Sequence, residues 1–109
     1  MERKVKMKLL TEEIIERFKE YPLYSQDGKG MDSDVLVKYF NPCGAGTWLI
    51  TEAELQEDGD WLLFGYCHIQ CFEWGYVLLS ELQNLKLPLG VTIEHDLYIP
   101  KNAKVKDLI

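Results

Sequence analysis

The middle of this sequence lacks positive charge. No lysine or arginine occurs between Lys38 and Lys86, although the same interval contains seven carboxylates and the whole chain has a net charge of −6. Basic residues cluster instead in the two ends, residues 1–8 and 101–109. Nucleic-acid binding needs a surface rich in basic residues. We therefore expect no direct nucleic-acid binding, except through the two short basic ends.

Long hydrophobic runs are missing too. The longest apolar stretches, such as Trp61 to Phe64, are far shorter than the roughly 20 residues of a membrane span. The charged start "MERKVKMKLLTEE" has no apolar segment typical of a secretory signal. We therefore expect a cytoplasmic protein without membrane association, in which the three cysteines stay reduced.

The sequence contains no recognisable catalytic or cofactor motif. It has no phosphate-binding loop, EF-hand, serine elbow or dinucleotide fingerprint. We expect no cofactor and favour a protein that is not an enzyme. The alternative is a small hydrolase or cation-dependent enzyme that uses Glu52, Asp60, Glu94 or Asp96, since paired carboxylates can perform acid–base chemistry or hold a divalent cation.

A group of thiols and one imidazole raises the question of a metal site. Cys67, His68 and Cys71 lie in "GYCHIQCFEWGY", and Cys43 lies upstream in "NPCGAG". A structural zinc site commonly uses paired Cys-x-x-Cys units, whereas this chain has a single Cys-x-x-x-Cys. On a continuous strand the two cysteines would be about 13 Å apart, and only a turn between them could assemble the cluster. Buried free cysteine is the simpler interpretation, so we expect no metal.

The length of 109 residues indicates one domain that can bury its own core. Thr11 is a good N-cap for a helix that Pro22 ends. Residues 23–34, rich in glycine, aspartate and serine, predict a mobile loop. From residue 35 the hydrophobic period changes from 3.6 to 2, which indicates strands. They are "VLVKYF" (35–40), "TWLITEAEL" (47–55), "WLLFGYCH" (61–68) and "EWGYVLL" (73–79).

Short connections between these strands favour an antiparallel meander. Ser80 and Gln83 form a capping-box pattern that predicts a short helix after the fourth strand. Residues 91–99 could form a fifth strand, and we expect the tail "PKNAKVKDLI" (100–109) to be an edge or a frayed end. The sequence therefore predicts an α+β domain: an antiparallel sheet of about four to five strands, an N-terminal helix and a short helix after the fourth strand.

An acidic and aromatic sheet face is the strongest candidate for a binding surface. Strict alternation along residues 47–55 puts Trp48, Glu52 and Glu54 on one face, where an aromatic ring beside carboxylates suits a basic or cationic partner. Acidic residues in strands and turns are more commonly just solvated, and tryptophans more commonly fill cores. The complete candidate set is Trp48, Glu52, Glu54, Asp60, Glu73, Trp74, Glu94 and Asp96.

Several blocks of the chain resemble a bacterial family of unknown function. They are "MKLLT" (7–11), "PLYS" (22–25), "VKYFNPCGAGTWLITE" (37–52), "DGDWLLFGY" (58–66), "EWGYVLLSEL" (73–82) and "PLGVTIEHDLYI" (88–99). The resemblance implies a short stand-alone protein of the kind often encoded on plasmids and conjugative elements. The resemblance also implies a start near Met7. The sequence departs from the family pattern at His95, where arginine is usual. The resemblance implies no activity.

These observations lead to three functional hypotheses. The first is a non-catalytic accessory protein of a mobile genetic element, which binds a basic, DNA-handling protein partner through the acidic and aromatic face. The second is the carboxylate-based enzyme described above. The third is nucleic-acid association through the basic ends and aromatic residues, which would be steeply dependent on salt.

Overall fold

A computed structural model describes residues 9–109 of the chain. The basic extension predicted at residues 1–8 lies outside the described residues. The elements follow the order predicted from hydrophobic periodicity. They are α1 (Glu12–Glu20), β1 (Val37–Phe40), β2 (Thr47–Leu55), β3 (Trp61–His68), β4 (Phe72–Leu78), α2 (Leu79–Gln83) and β5 (Glu94–His95), with 3₁₀ turns at Gly30–Asp32, Pro88–Gly90 and Val105–Asp107.

The predicted α+β architecture is confirmed. Five antiparallel strands form one sheet in the order β4-β3-β2-β1-β5, so β1 to β4 are a meander and β5 returns to the opposite edge beside β1. The fifth strand is much shorter than predicted, because only Glu94 and His95 pair with β1. Strand β4 forms an edge of the sheet. No helix among residues 9–109 is both long and apolar enough to cross a membrane.

Helix α1 begins as the sequence indicates. The Thr11 side chain accepts a hydrogen bond from the Ile14 amide at 3.1 Å, which satisfies one of the free donors of the first turn. Ile14 and Phe18 then point into the core, where the Phe18 ring lies 5.1 Å from that of Trp61. Both helices pack on the same face of the sheet, which we call the inner face.

The outer face of the sheet is covered over only part of its area. Around Leu49, near the start of β2, a second apolar cluster forms from Val35, Met31, Val105 and Leu108, with Tyr66 at its border. The C-terminal segment belongs to this cluster, and Lys104 forms an antiparallel bridge with Asp34. Of the two predicted alternatives, an edge or a frayed end, the frayed end is therefore wrong. Main-chain hydrogen bonds from Val35 to Ala103 and from Val105 to Ser33, both 3.0 Å, hold it in place. Toward β4, no part of residues 9–109 packs over the outer face.

A β-bulge in β2 changes which residues share a face. Ile50 pairs with Gly65 and Glu52 with Phe64, which leaves Thr51 as one extra residue in β2. Before the bulge Trp48 faces inward, and after it Glu52 faces outward. The prediction that Trp48, Glu52 and Glu54 share one face is wrong for this reason, because a shift of one residue turns the following side chains to the other face.

Gly65 on β3, opposite the bulge, allows the main chain of β2 to approach this closely. A Cβ atom at Gly65 would lie 2.0 Å from the Leu49 carbonyl oxygen and 2.9 Å from the Ile50 Cα atom. At Gly75, its partner on β4, a Cβ atom would meet nothing within 4 Å. Gly65 is therefore required by the approach of β2, whereas Gly75 is not.

Candidate functional site

A ladder of six rings occupies the uncovered outer surface of β3 and β4. Alternation along the β3–β4 hairpin brings every second residue of both strands to this side. Neighbouring ring centroids lie 4.3 to 5.7 Å apart, so each ring contacts the next in a stacked or tilted arrangement. We call this surface the aromatic face; it consists of Phe64, Tyr66, His68, Phe72, Trp74 and Tyr76.

The rings on β4 are accessible to solvent because β4 is an edge strand with nothing packed over its outer side among the described residues. Phe72 is 39%, Trp74 37% and Tyr76 54% exposed, whereas Trp48 and Trp61 are buried on the inner face. On β3 the side chains that point outward are half buried, whereas those that point inward are buried. Contiguous exposed rings of this kind are typical of interaction surfaces.

A groove of about 410 Å³ runs along one end of the aromatic face. Phe64, Trp74 and Tyr76 form one wall, and the loop from Tyr24 to Gly30 forms the other. Glu52 lies at the bottom, immediately after the bulge. The groove is therefore built by the sheet on one side and by a loop that the sequence predicts to be mobile on the other.

Tyr24 has a backbone conformation that is rare for a side chain-bearing residue. It has a φ of +73° within a tight turn closed by a hydrogen bond of 3.0 Å from Ser25 to Pro22. Glycine is favoured at such a position because a Cβ atom is strained there. The turn projects the Tyr24 ring outward, and the ring is 71% exposed at the mouth of the groove. Strain of this kind often accompanies function.

Two polar side chains hold the loop against the bulge. The buried Glu52 carboxylate accepts hydrogen bonds from the Tyr24 amide at 2.8 Å and from the Gln26 amide at 3.0 Å. The buried Gln26 amide group donates to the carbonyl oxygens of Thr51 and Asp34 and accepts from the Asp34 amide, at 2.7 to 2.9 Å. The loop is thus fixed by hydrogen bonds, contrary to the expectation of a mobile segment.

The groove has negative electrostatic character. Carboxylates of Glu52 and Asp27 line it, and among residues 9–109 no lysine or arginine does. The pKa of Tyr76 is raised, first by a side-chain hydrogen bond with Tyr24, then by burial and by nearby charges that include Glu52 and Asp27. The field of the carboxylates therefore reaches the rings, where it favours a cation.

A family model described as "Protein of unknown function (DUF2958)" matches residues 9–108. The chain belongs to the DUF2958 family. The match spans almost the whole described structure, so the sheet, the loop and the aromatic face all lie within the family's domain. Neither the comparison with curated proteins nor the comparison with solved structures found a match.

In this DUF2958 member, the predicted candidate residues do not form one surface. Glu52 and Trp74 both line the groove, and Glu54 lies nearby on the outer face, two residues beyond Glu52 on β2. Trp48 is buried in the inner core. Glu73 is exposed, but its pairing with Cys67 places it on the opposite side from Trp74.

Three further carboxylates lie away from the groove. Asp60 accepts hydrogen bonds from the Ser80 amide at 3.1 Å and from the Ser80 hydroxyl at 2.5 Å, so it caps the start of α2 from a distance in sequence. The predicted capping box of Ser80 and Gln83 does not form. The side chain of Glu81 instead accepts a hydrogen bond from the Leu78 amide. Glu94 and Asp96 lie at the far edge of the sheet, where Asp96 approaches Lys38 at 3.9 Å. The four carboxylates of the enzyme hypothesis therefore do not converge.

The thiols and His68 also lie apart. Cys67 is buried on the inner face, while His68, the next residue, points to the outer face in the aromatic ladder. Cys43 and Cys71 are exposed in two turns. Among residues 9–109, no three or more histidine, cysteine or acidic side chains come close enough to hold a metal ion.

The basic C-terminal segment pairs with acidic residues of the same chain. Lys104 contacts Asp34 at 2.5 Å, and Lys106 contacts Asp32 at 2.7 Å. The side-chain hydrogen bond from Lys104 is the main reason why the pKa of Asp34 is lowered. Two lysines that could contact phosphates are thus neutralised by neighbours within the fold.

Sequence reasoning missed most of the residues that build the groove and the face. Tyr24 and Gln26 fall in a segment that looks like a loop, and nothing local indicates their contacts with β2. The aromatic face did leave a signal, because aromatic residues recur at every second position on both sides of a predicted hairpin turn, at 64, 66, 72, 74 and 76.

Proposed function

We propose that this chain is a non-catalytic interaction protein whose aromatic face binds a basic segment of a protein partner. The observation that carries the proposal is the accessible row Phe72, Trp74 and Tyr76 on an edge strand. Aromatic anchors supply much of the energy of protein interfaces, and they do so at low cost in side-chain entropy.

The negative charge beside the aromatic face indicates which chemical type of partner it binds. Asp27 and Glu52 line the groove with the rings, Glu54 follows on the outer face of β2, and no lysine or arginine occurs in β2, β3 or β4. Arginine and lysine side chains gain both cation–π contacts with the rings and attraction to the carboxylates. An arginine-rich segment suits the surface best, because the guanidinium group stacks on aromatic rings.

The same charge argues against direct nucleic-acid binding. Aromatic rings on a sheet can stack bases, but single-strand binders combine such rings with a basic groove that follows the phosphates. The outer surface here offers carboxylates instead, and Lys104 and Lys106 are already paired. We therefore prefer a partner whose own surface is basic.

A DNA-handling protein is the partner class that fits this preference. Its DNA-contacting surface is basic, so an acidic protein can occupy that surface in place of DNA. This role agrees with an accessory protein of a mobile genetic element, as the sequence resemblance implies. Such a protein would act inside the cell and would need no cofactor.

Fluorescence anisotropy with a labelled ten-residue peptide of alternating arginine and glycine tests the proposal. We expect the chain to bind this peptide, with affinity falling as salt rises, and to bind a glutamate–glycine peptide of equal length far more weakly. Trp74→Ala should weaken binding of the arginine peptide about tenfold or more.

Tyr98→Ala is the matched control, because Tyr98 is an aromatic residue with 89% exposure that lies outside the aromatic face. It should bind the arginine peptide like the unchanged protein. Equal binding by the Trp74→Ala and Tyr98→Ala variants would refute the proposal, as would equal binding of the two peptides.

A further inference from the structure

The groove at the end of the aromatic face combines two features that suit one chemical class of ligand. The rings of Phe64, Trp74 and Tyr76 line one side and the Tyr24 ring lies on the loop side, while the negative charge of Glu52 lies at the bottom. Its volume of about 410 Å³ is within the range of about 300–1,000 Å³ that is usual for small-molecule sites. Aromatic walls around a negative centre are the arrangement that recognises organic cations.

The hydrogen bonds of Glu52 narrow the class of cation. Each of its two carboxylate oxygens already accepts a main-chain amide, from Tyr24 and Gln26 respectively. The carboxylate therefore offers charge more than free acceptor sites, and ring faces are poor acceptors. Asp27, the other carboxylate of the described lining, is exposed to solvent, so a lysine or arginine head group held against the rings and Glu52 would lose water partners for part of its N–H groups, which is costly.

A cation without N–H donors avoids this cost. We propose that the groove is a binding site for a trimethylammonium group, carried by a small molecule or by a trimethylated lysine side chain. Such a group is attracted by Glu52 and Asp27, contacts the rings through its methyl groups and needs no hydrogen bond.

The backbone strain at Tyr24 gives this site a second, independent support. Nothing in the local fold requires a tyrosine at a φ of +73°, where glycine would be free of strain. The strained turn places the Tyr24 ring in the lining of the groove, together with the Tyr76 ring of β4. The Tyr24 ring thereby forms part of the wall that lies opposite the sheet.

This inference rests on the proposed function only in that both use the aromatic face, and the two can fail separately. The groove lies at the Phe64, Trp74 and Tyr76 end, whereas Phe72 and His68 form the other end. We expect Phe72→Ala to weaken the arginine peptide and to leave trimethylammonium binding unchanged.

Choline and its neutral carbon isostere, 3,3-dimethyl-1-butanol, test the site directly. The two probes have nearly the same shape and differ in charge, so titration calorimetry should show choline binding at least about tenfold more tightly. The methyl protons of choline should shift upfield in NMR spectra on binding, because they lie against ring faces. Equal affinity of the two probes, or no upfield shift, would overturn the assignment.

Tyr24→Gly separates the site from the stability of the fold. This variant removes a ring and relieves the backbone, so the thermal midpoint should stay the same or rise while choline affinity falls at least about fivefold. Tyr98→Ala is again the control and should bind choline normally. Unchanged choline affinity in the Tyr24→Gly variant would contradict the role of that ring.

Two matched peptides distinguish the sources of the ligand. They share one sequence and carry either lysine or trimethyllysine at the centre. Tighter binding of the trimethyllysine peptide than of choline would assign the site to a modified protein partner, and the reverse order would assign it to a small molecule. Binding of the arginine peptide without binding of choline or trimethyllysine would overturn this inference and leave the proposed function intact.

Discussion

Replacement of Glu52 by glutamine tests how the groove is held together. The Glu52 side chain is 5% exposed and accepts two main-chain amides from the loop, one at each carboxylate oxygen. A glutamine side chain of the same shape has only one acceptor oxygen. Its NH₂ group must therefore face either the Tyr24 amide or the Gln26 amide, donor against donor.

The expected cost follows from these contacts. Loss of a hydrogen bond to a charged acceptor costs about 1.5–3 kcal/mol, and a buried donor left without a partner costs about 1–3 kcal/mol. The two effects overlap, so Glu52→Gln should lower the free energy of unfolding by about 2–4 kcal/mol. For a chain of this length, Tm falls by about 4 °C per kcal/mol, which gives a drop of about 8–16 °C.

Thermal and urea unfolding followed by circular dichroism measure this cost. Glu54→Gln is the matched control, because Glu54 lies two residues further along β2 and is exposed. It should change the free energy of unfolding by no more than about 0.5 kcal/mol. If Glu52→Gln is as stable as Glu54→Gln, the reasoning that Glu52 fixes the loop is wrong.

Three further predictions concern the rest of the fold. Gly65→Ala should lower the free energy of unfolding by about 2 kcal/mol or more in urea, because its methyl group meets main chain at 2.0 Å, whereas Gly75→Ala should be nearly neutral. Burial, and secondarily a nearby carboxylate, raises the pKa of Cys67 to about 11, so a thiol reagent at pH 8 should modify only the two exposed cysteines until the protein unfolds. The hydrogen bond from Lys104 lowers the pKa of Asp34. The stabilisation from ionised Asp34 is therefore present above about pH 4 and is lost as the pH falls through the pKa of Asp34 in the folded protein. Asp34→Asn should reduce this acid-induced loss of stability, measured by urea unfolding at several pH values.

The sequence by itself determined the order and type of the main elements. The Thr11 cap, the following Pro22 and the change of period from 3.6 to 2 are local signals, and a local signal does not depend on distant partners. The predicted ranges for the second and third strands, 47–55 and 61–68, agree with β2 and β3 for this reason. Short connections between the first four strands likewise limited the topology to a meander.

Only the tertiary structure decided which side chains meet. One extra residue at Thr51 turns Glu52 away from Trp48, and no feature of the hydrophobic pattern marks that position. Glu52 then finds its partners 26 and 28 positions earlier, at Gln26 and Tyr24, in a segment that looks unstructured on its own. Periodicity reports the faces of an isolated strand, whereas a bulge and its contacts arise from the fit between neighbouring strands and loops. The groove exists because of that fit.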